Sequence, residues 1–141
     1  MPPVRERLET VTLRMVEDEA SDVVWAGEYE GRWGIRMAQQ VRDFTTIWFD
    51  VGDLTVGCEA YVGPMPPHSR EEVFALLLAR SWPAWRTHFA LDQRRDIFLV
   101  GRVPVKDFDD DALDEVIGSI YELIETTFRQ IIRIGFAPRE K

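Results

Sequence analysis

Between Gly63 and Trp85 the hydrophobic period of this sequence changes, and that change limits the folds open to it. Upstream, apolar and polar residues alternate. The segment from Gly63 to Pro67 then cannot extend a strand ladder, because its prolines donate no amide hydrogen bond. Ser69 follows, with Glu72 three residues on, the spacing of a capping box that predicts a helix start. From Val73 to Ala79 no residue is polar, and two apolar stripes can be drawn. Val73, Leu76 and Leu77 form one. Phe74, Leu78, Trp82 and Trp85 form another on a neighbouring face. A surface helix of a small domain needs only one such stripe. The second predicts a partner, and its four residues are the candidate homodimer interface.

On both sides of this helix the alternation of period two predicts strands. Trp33, Ile35 and Met37 alternate with Arg32, Gly34 and Arg36. Ile47, Phe49 and Val51 alternate with Thr46, Trp48 and Asp50. Gly52-Asp53 predicts a tight turn with glycine at positive φ, after which Leu54, Val56, Cys58 and Ala60 share a face. Beyond Pro83, Phe89 and Leu91 alternate with His88 and Ala90, and a polar turn covers Asp92 to Arg95. Ile97 to Val103 resumes as a strand with apolar groups on both faces.

Helical spacing marks both ends of the chain. Val4, Leu8, Val11 and Met15 form a seam that ends near Glu17-Asp18-Glu19. Leu113, Val116, Ile117, Ile120, Ile124, Phe128 and Ile131 form a longer one, with Asp109, Asp110 and Asp111 where a helix N-terminus favours negative charge and Gly135 as its stop. The expected fold is α+β: helix, three strands, helix, two strands, helix, with an antiparallel five-stranded sheet packed against helices. Residues 1–141 read as one domain, in which 1–30 is an N-terminal helix and a connector of no clear period.

At 141 residues the chain is large enough for a sizeable core, and its 45% hydrophobic content suits a globular protein. With 25 acidic against 17 basic residues the net charge is −8, which repels phosphate backbones and anionic lipid. No nucleic-acid partner is expected. The longest wholly apolar run has seven residues, against about 20 for a bilayer span, so no membrane insertion is expected. The start of the chain has no apolar core of a secretory signal. A cytoplasmic protein is the expectation.

Motifs of catalysis are missing from the sequence. His68 and His88 have no second ligand at metal spacing. Cys58, the single cysteine, lies in phase with the core and excludes an internal disulfide. The acidic run from Asp107 to Glu115 lacks the glycine and terminal glutamate of a calcium loop. Neither a phosphate-cradling glycine loop nor a Gly-x-Ser-x-Gly elbow is present. The expected protein is not an enzyme and holds no metal or cofactor. Its remaining signal is aromatic. Of five tryptophans, Trp25, Trp48, Trp82 and Trp85 fall outside the expected core, and aromatic groups outside a core favour interfaces. Trp25, Tyr29 and Trp48 are the candidate peptide-binding residues.

Over residues 30–136 the order of elements resembles that of the YbjN family and the related class I type III secretion chaperones. The likeness rests on the hairpin from Ile47 to Val56, the proline loop before Glu71-Glu72-Val73, the segments Phe89 to Asp92 and Ile97 to Pro104, and the long final helix. The resemblance implies a small, acidic, cytoplasmic, homodimeric protein without catalytic activity, which holds a peptide or a segment of a client protein. The other expectation, from a different class, is a regulatory or signalling component that binds a small ligand between the sheet and the C-terminal helix.

Overall fold

The computed structural model describes residues 3–138. In chain order its elements are α1 (Val4–Glu17), β1 (Val23–Tyr29), β2 (Arg32–Ala38), β3 (Phe44–Val51), β4 (Thr55–Gly63), α2 (Arg70–Ser81), β5 (Thr87–Leu91), β6 (Ile97–Pro104) and α3 (Asp110–Gly135). Among the described residues the strands form one six-stranded sheet in the order β1-β2-β3-β4-β6-β5. Every neighbouring pair is antiparallel.

The antiparallel α+β expectation holds, and the five-strand count does not. The additional strand is β1, in the stretch expected to be a connector. Its register on β2 shifts between Val23 and Trp25. A bulge of this kind moves the following side chains to the opposite phase, so no alternation survives in the sequence. The turn into β2 is Glu30-Gly31, with φ of 51° and 80°. Positive φ at both central positions matches the right-handed twist of a two-residue hairpin, and glycine adopts it without strain.

One face of the sheet is the core. Trp33, Ile35 and Met37 from β2, Ile47 and Phe49 from β3, Val56, Cys58 and Ala60 from β4, and Ile97 and Leu99 from β6 are all buried. The helices supply the facing layer. Leu8 of α1 is buried, and Thr12 accepts a hydrogen bond from Trp33 Nε1 at 2.9 Å while donating to the Leu8 carbonyl at 2.7 Å. The indole nitrogen of a buried tryptophan is thereby satisfied. From α3, Leu113, Val116, Ile120, Ile124 and Ile131 are buried. Asp109 caps this helix, its carboxylate accepting from Ala112 N at 2.8 Å, as its acidic start leads one to expect. The loop between β2 and β3 is tied to α3 by Glu125, which accepts from Gln39 Nε2 at 2.6 Å and from Gln40 N at 2.9 Å.

Local expectations fail at three points. Ser69 occupies the left-handed region at φ 50° and makes no side-chain capping hydrogen bond, so α2 begins at Arg70 without a capping box. Gly52 does not take positive φ; the turn closes instead through its N–H to the Thr55 carbonyl at 2.9 Å. The two-residue turn is thereby moved on by one position to Asp53-Leu54, which takes Leu54 out of the core phase to 82% exposure. Finally, α2 ends at Ser81, so Trp85 lies beyond the helix rather than on its stripe.

Candidate functional site

The opposite face of the sheet carries the side chains that alternate away from the core. There β1, β2 and β3 bring Trp25, Tyr29 and Trp48 together. The Trp25 and Trp48 rings meet edge-on with centroids 6.4 Å apart, and Tyr29 lies 6.1 Å from Trp48. Register explains the cluster, because Trp48 pairs with Gly34 and Gly34 with Gly27. A Cβ at Gly34 would come within 2.5 Å of the Trp48 ring, and one at Gly27 within 2.7 Å of the Trp25 ring. The two indoles therefore pack against backbone that has no side chain of its own. This aromatic cover of strand glycines holds the rings in place.

Two arginines of β2 share this face. Arg32 binds both Asp50 carboxylate oxygens, at 2.9 and 2.8 Å, and reaches Glu59 at 2.9 Å. Its guanidinium sits above its usual range through the hydrogen bond to Asp50 and then Glu59, against the opposing effect of burial. It also lies 5.6 Å from the Trp48 ring. Arg36 instead touches rings, 5.4 Å from Trp25 and 5.9 Å from Phe44. Farther along the face Tyr61 and Phe98 meet edge-on at 5.4 Å. Cross-strand aromatic contact, not another layer, is what covers the outward side of β6.

A second apolar surface lies at the far edge of the sheet. Val73 and Leu77 of α2 are buried, and Phe74 packs partly against the core. Leu78, Trp82 and Trp85 are 72%, 91% and 67% exposed. Phe74, Leu77 and Leu78 form a shallow cleft of about 160 Å³ with Phe89, Ala90 and Leu91. The edge of β5 is partly closed by its own chain: Phe89 N donates to Ser81 Oγ at 3.0 Å and Thr87 N to the Trp85 carbonyl at 2.9 Å. Ser119 of α3 donates to that same carbonyl at 2.6 Å, and Arg86 pairs with Glu115 at 2.8 Å. Trp85 is thus held in position although its ring is exposed.

The single cysteine belongs to neither surface. Cys58 is buried in the core, and burial pushes its thiol up to about 12. Such a thiol is inert at neutral pH. Among the described residues no three His, Cys, Asp or Glu side chains converge to hold a metal ion, and no helix is long and apolar enough to cross a membrane.

The YbjN family model, described as "Putative bacterial sensory transduction regulator", matches residues 12–133. The chain belongs to the YbjN family. It is also similar to uncharacterised proteins of mycobacteria. Those of Mycobacterium tuberculosis and Mycobacterium bovis are 34% identical over 86 residues, which cover 61% of this chain and 47% of theirs. One from Mycobacterium leprae is 33% identical over 92 residues, 65% of this chain and 50% of its own. The chain spans about half the length of the curated relatives it matches.

Within this YbjN domain the candidate residues divide into two groups. Trp25, Tyr29 and Trp48, drawn from two separate segments of sequence, form one cluster. Phe74, Leu78, Trp82 and Trp85 lie along the α2 edge, with Phe74 shared with the core. Sequence reasoning missed Arg36, Phe44 and the glycines under the indoles. Their signal was the outward phase shared by β1, β2 and β3, which becomes legible only once the three strands are in register.

Proposed function

We propose that this chain is a non-enzymatic, chaperone-like protein of the cytoplasm that acts as a homodimer and holds an extended segment of a client protein. One observation carries the reading. The helices pack on one face of the sheet, while Trp25, Tyr29 and Trp48 gather on the other with no element of the described chain over them. Rigid, amphipathic rings supply contact area at low entropic cost, and fixing them before binding lowers that cost further. The α2 edge is assigned to the second copy of the chain. Leu78 and Trp82 point away from their own core, and a twofold axis lets one patch cover its own mate. The reading requires no cofactor and no metal.

Selection of short random peptides displayed on phage tests this function directly. Peptides enriched on the wild-type chain and lost on Trp48→Ala are the expected result. A selection that enriches nothing on the wild type contradicts it.

The second reading is a regulator that takes a small ligand between the sheet and α3. It is favoured by a cleft of about 450 Å³, lined by Met15 of α1, Met37 of β2 and Ile117 and Tyr121 of α3, together with Asp18, Asp22 and Asp114. Its volume is within the range of small-molecule sites, and the family description agrees with a regulatory role. A thermal-shift screen of small organic compounds separates the two. Stabilisation that disappears when Ile117→Trp fills the cleft favours the regulator.

A further inference from the structure

Resting on the protein-binding reading above, we infer that Arg36 anchors a single acidic side chain of the bound segment, and that this segment carries an apolar residue two positions from the acid. Two outward arginines on β2 differ in their partners. Arg32 is neutralised by Asp50 and Glu59, with three contacts at or below 2.9 Å. Arg36 is exposed, and among the described residues it has neither a hydrogen-bond nor an ion-pair partner. Trp25 and Phe44 contact its guanidinium at 5.4 and 5.9 Å. A guanidinium placed against rings is oriented by them, yet it keeps its N–H donors for a planar anion such as a carboxylate.

The surroundings decide which anion fits. Asp50 of β3 and Glu59 of β4 are on the same face, clustered around Arg32. A polyanion laid across the face would bring one phosphate to Arg36 and others toward those carboxylates, in a chain whose net charge is −8. One carboxylate between uncharged neighbours meets Arg36 alone. In an extended segment, side chains on the same side recur about every 7 Å. The Trp25 ring lies 5.4 Å from the Arg36 guanidinium, within that reach. An acid on Arg36 therefore places the residue two positions away on an indole. The partner is an acidic-apolar stretch of protein chain, not a nucleic acid.

The peptides selected on the wild-type chain test this, together with amide replacements of their acids. The enriched sequences should share an Asp or Glu with an aromatic or aliphatic residue two positions away. By fluorescence anisotropy, changing that acid to its amide, or Arg36→Gln in the protein, should weaken binding roughly tenfold, as expected for a charge-assisted hydrogen bond. The two changes together should cost little more than either alone, and Arg36→Lys should restore part of the loss. Enriched peptides without an acid, or full affinity in Arg36→Gln, overturn the anchor and leave the protein-binding function standing. Enrichment of no peptide removes both. If single-stranded oligouridylate binds more tightly than any selected peptide and is released by Arg36→Gln, the partner has been assigned to the wrong class.

Discussion

Two apolar surfaces of this protein are built on opposite principles. On the outer face of the sheet, Trp25 and Trp48 are half-buried, bedded on Gly27 and Gly34 and flanked by Arg32 and Arg36. Along the α2 edge, Trp82 is 91% exposed, and among the described residues no ring or cation contact supports it. The first surface is organised before anything binds. In the second, Trp85 is held by its backbone and by Arg86, whose guanidinium lies 5.0 Å from its ring, but Trp82 has no such support. Preorganised aromatic groups suit recognition of a ligand, whereas a bare ridge of leucine and tryptophan suits association with a surface of the same kind.

The sharpest way to break this comparison is at Leu78. A charge placed in an apolar twofold contact should weaken association roughly a hundredfold. Sedimentation equilibrium across a dilution series should therefore find wild-type dimer and Leu78→Asp monomer at the same concentration, with unchanged circular dichroism. Next come the tryptophans themselves. Trp48→Ala strips the cover from Gly34 and the ring beneath Arg32, and should cost the folded chain about 1–2 kcal/mol in urea unfolding. Trp82→Ala should cost the monomeric Leu78→Asp background less than about 0.5 kcal/mol, as for exposed positions in general. Equal losses would erase the distinction between bedded and bare rings.

A smaller effect is expected at Gly34. The Cβ of Gly34→Ala meets the Trp48 ring at 2.5 Å, so the indole must swing away. Crowding of this kind costs about 1 kcal/mol or more, and the change should appear as a red shift in tryptophan emission as the ring becomes wetter. A separate effect is set by pH. Because burial holds the Cys58 thiol at about 12 against an ordinary 9.0, the unfolded chain ionises first as pH rises. The folded state should lose stability progressively from about pH 9 to about pH 12. Cys58→Ala should lose less over that window in the same urea titration, the tyrosines being common to both chains.

Much of the fold was legible because one sheet face is buried against helices. The alternation of Trp33, Ile35 and Met37, and of Ile47 and Phe49, survives in sequence since each inward residue meets the same apolar layer. The seam of α3 is legible for the same reason. The strand β1 was not, because it is an edge strand with a bulge and half-exposed side chains on both sides. The Ser69 cap failed because the chain leaves the Pro66-Pro67 bend with Ser69 in left-handed backbone, which no residue spacing reveals. Of the site, the aromatic residues stood out by being surplus to the core. Arg36 did not, since an unpaired arginine differs from Arg32 only through what three strands place around it.

Titration of one selected peptide against the two variants tests the division of labour most directly. If the surfaces are separate, monomeric Leu78→Asp binds the peptide with nearly wild-type affinity, while Trp48→Ala, still a dimer, binds it at least about tenfold more weakly. The opposite pattern, with binding lost in Leu78→Asp and kept in Trp48→Ala, would place the client on the α2 edge and leave the sheet's aromatic face as cover for its own glycines.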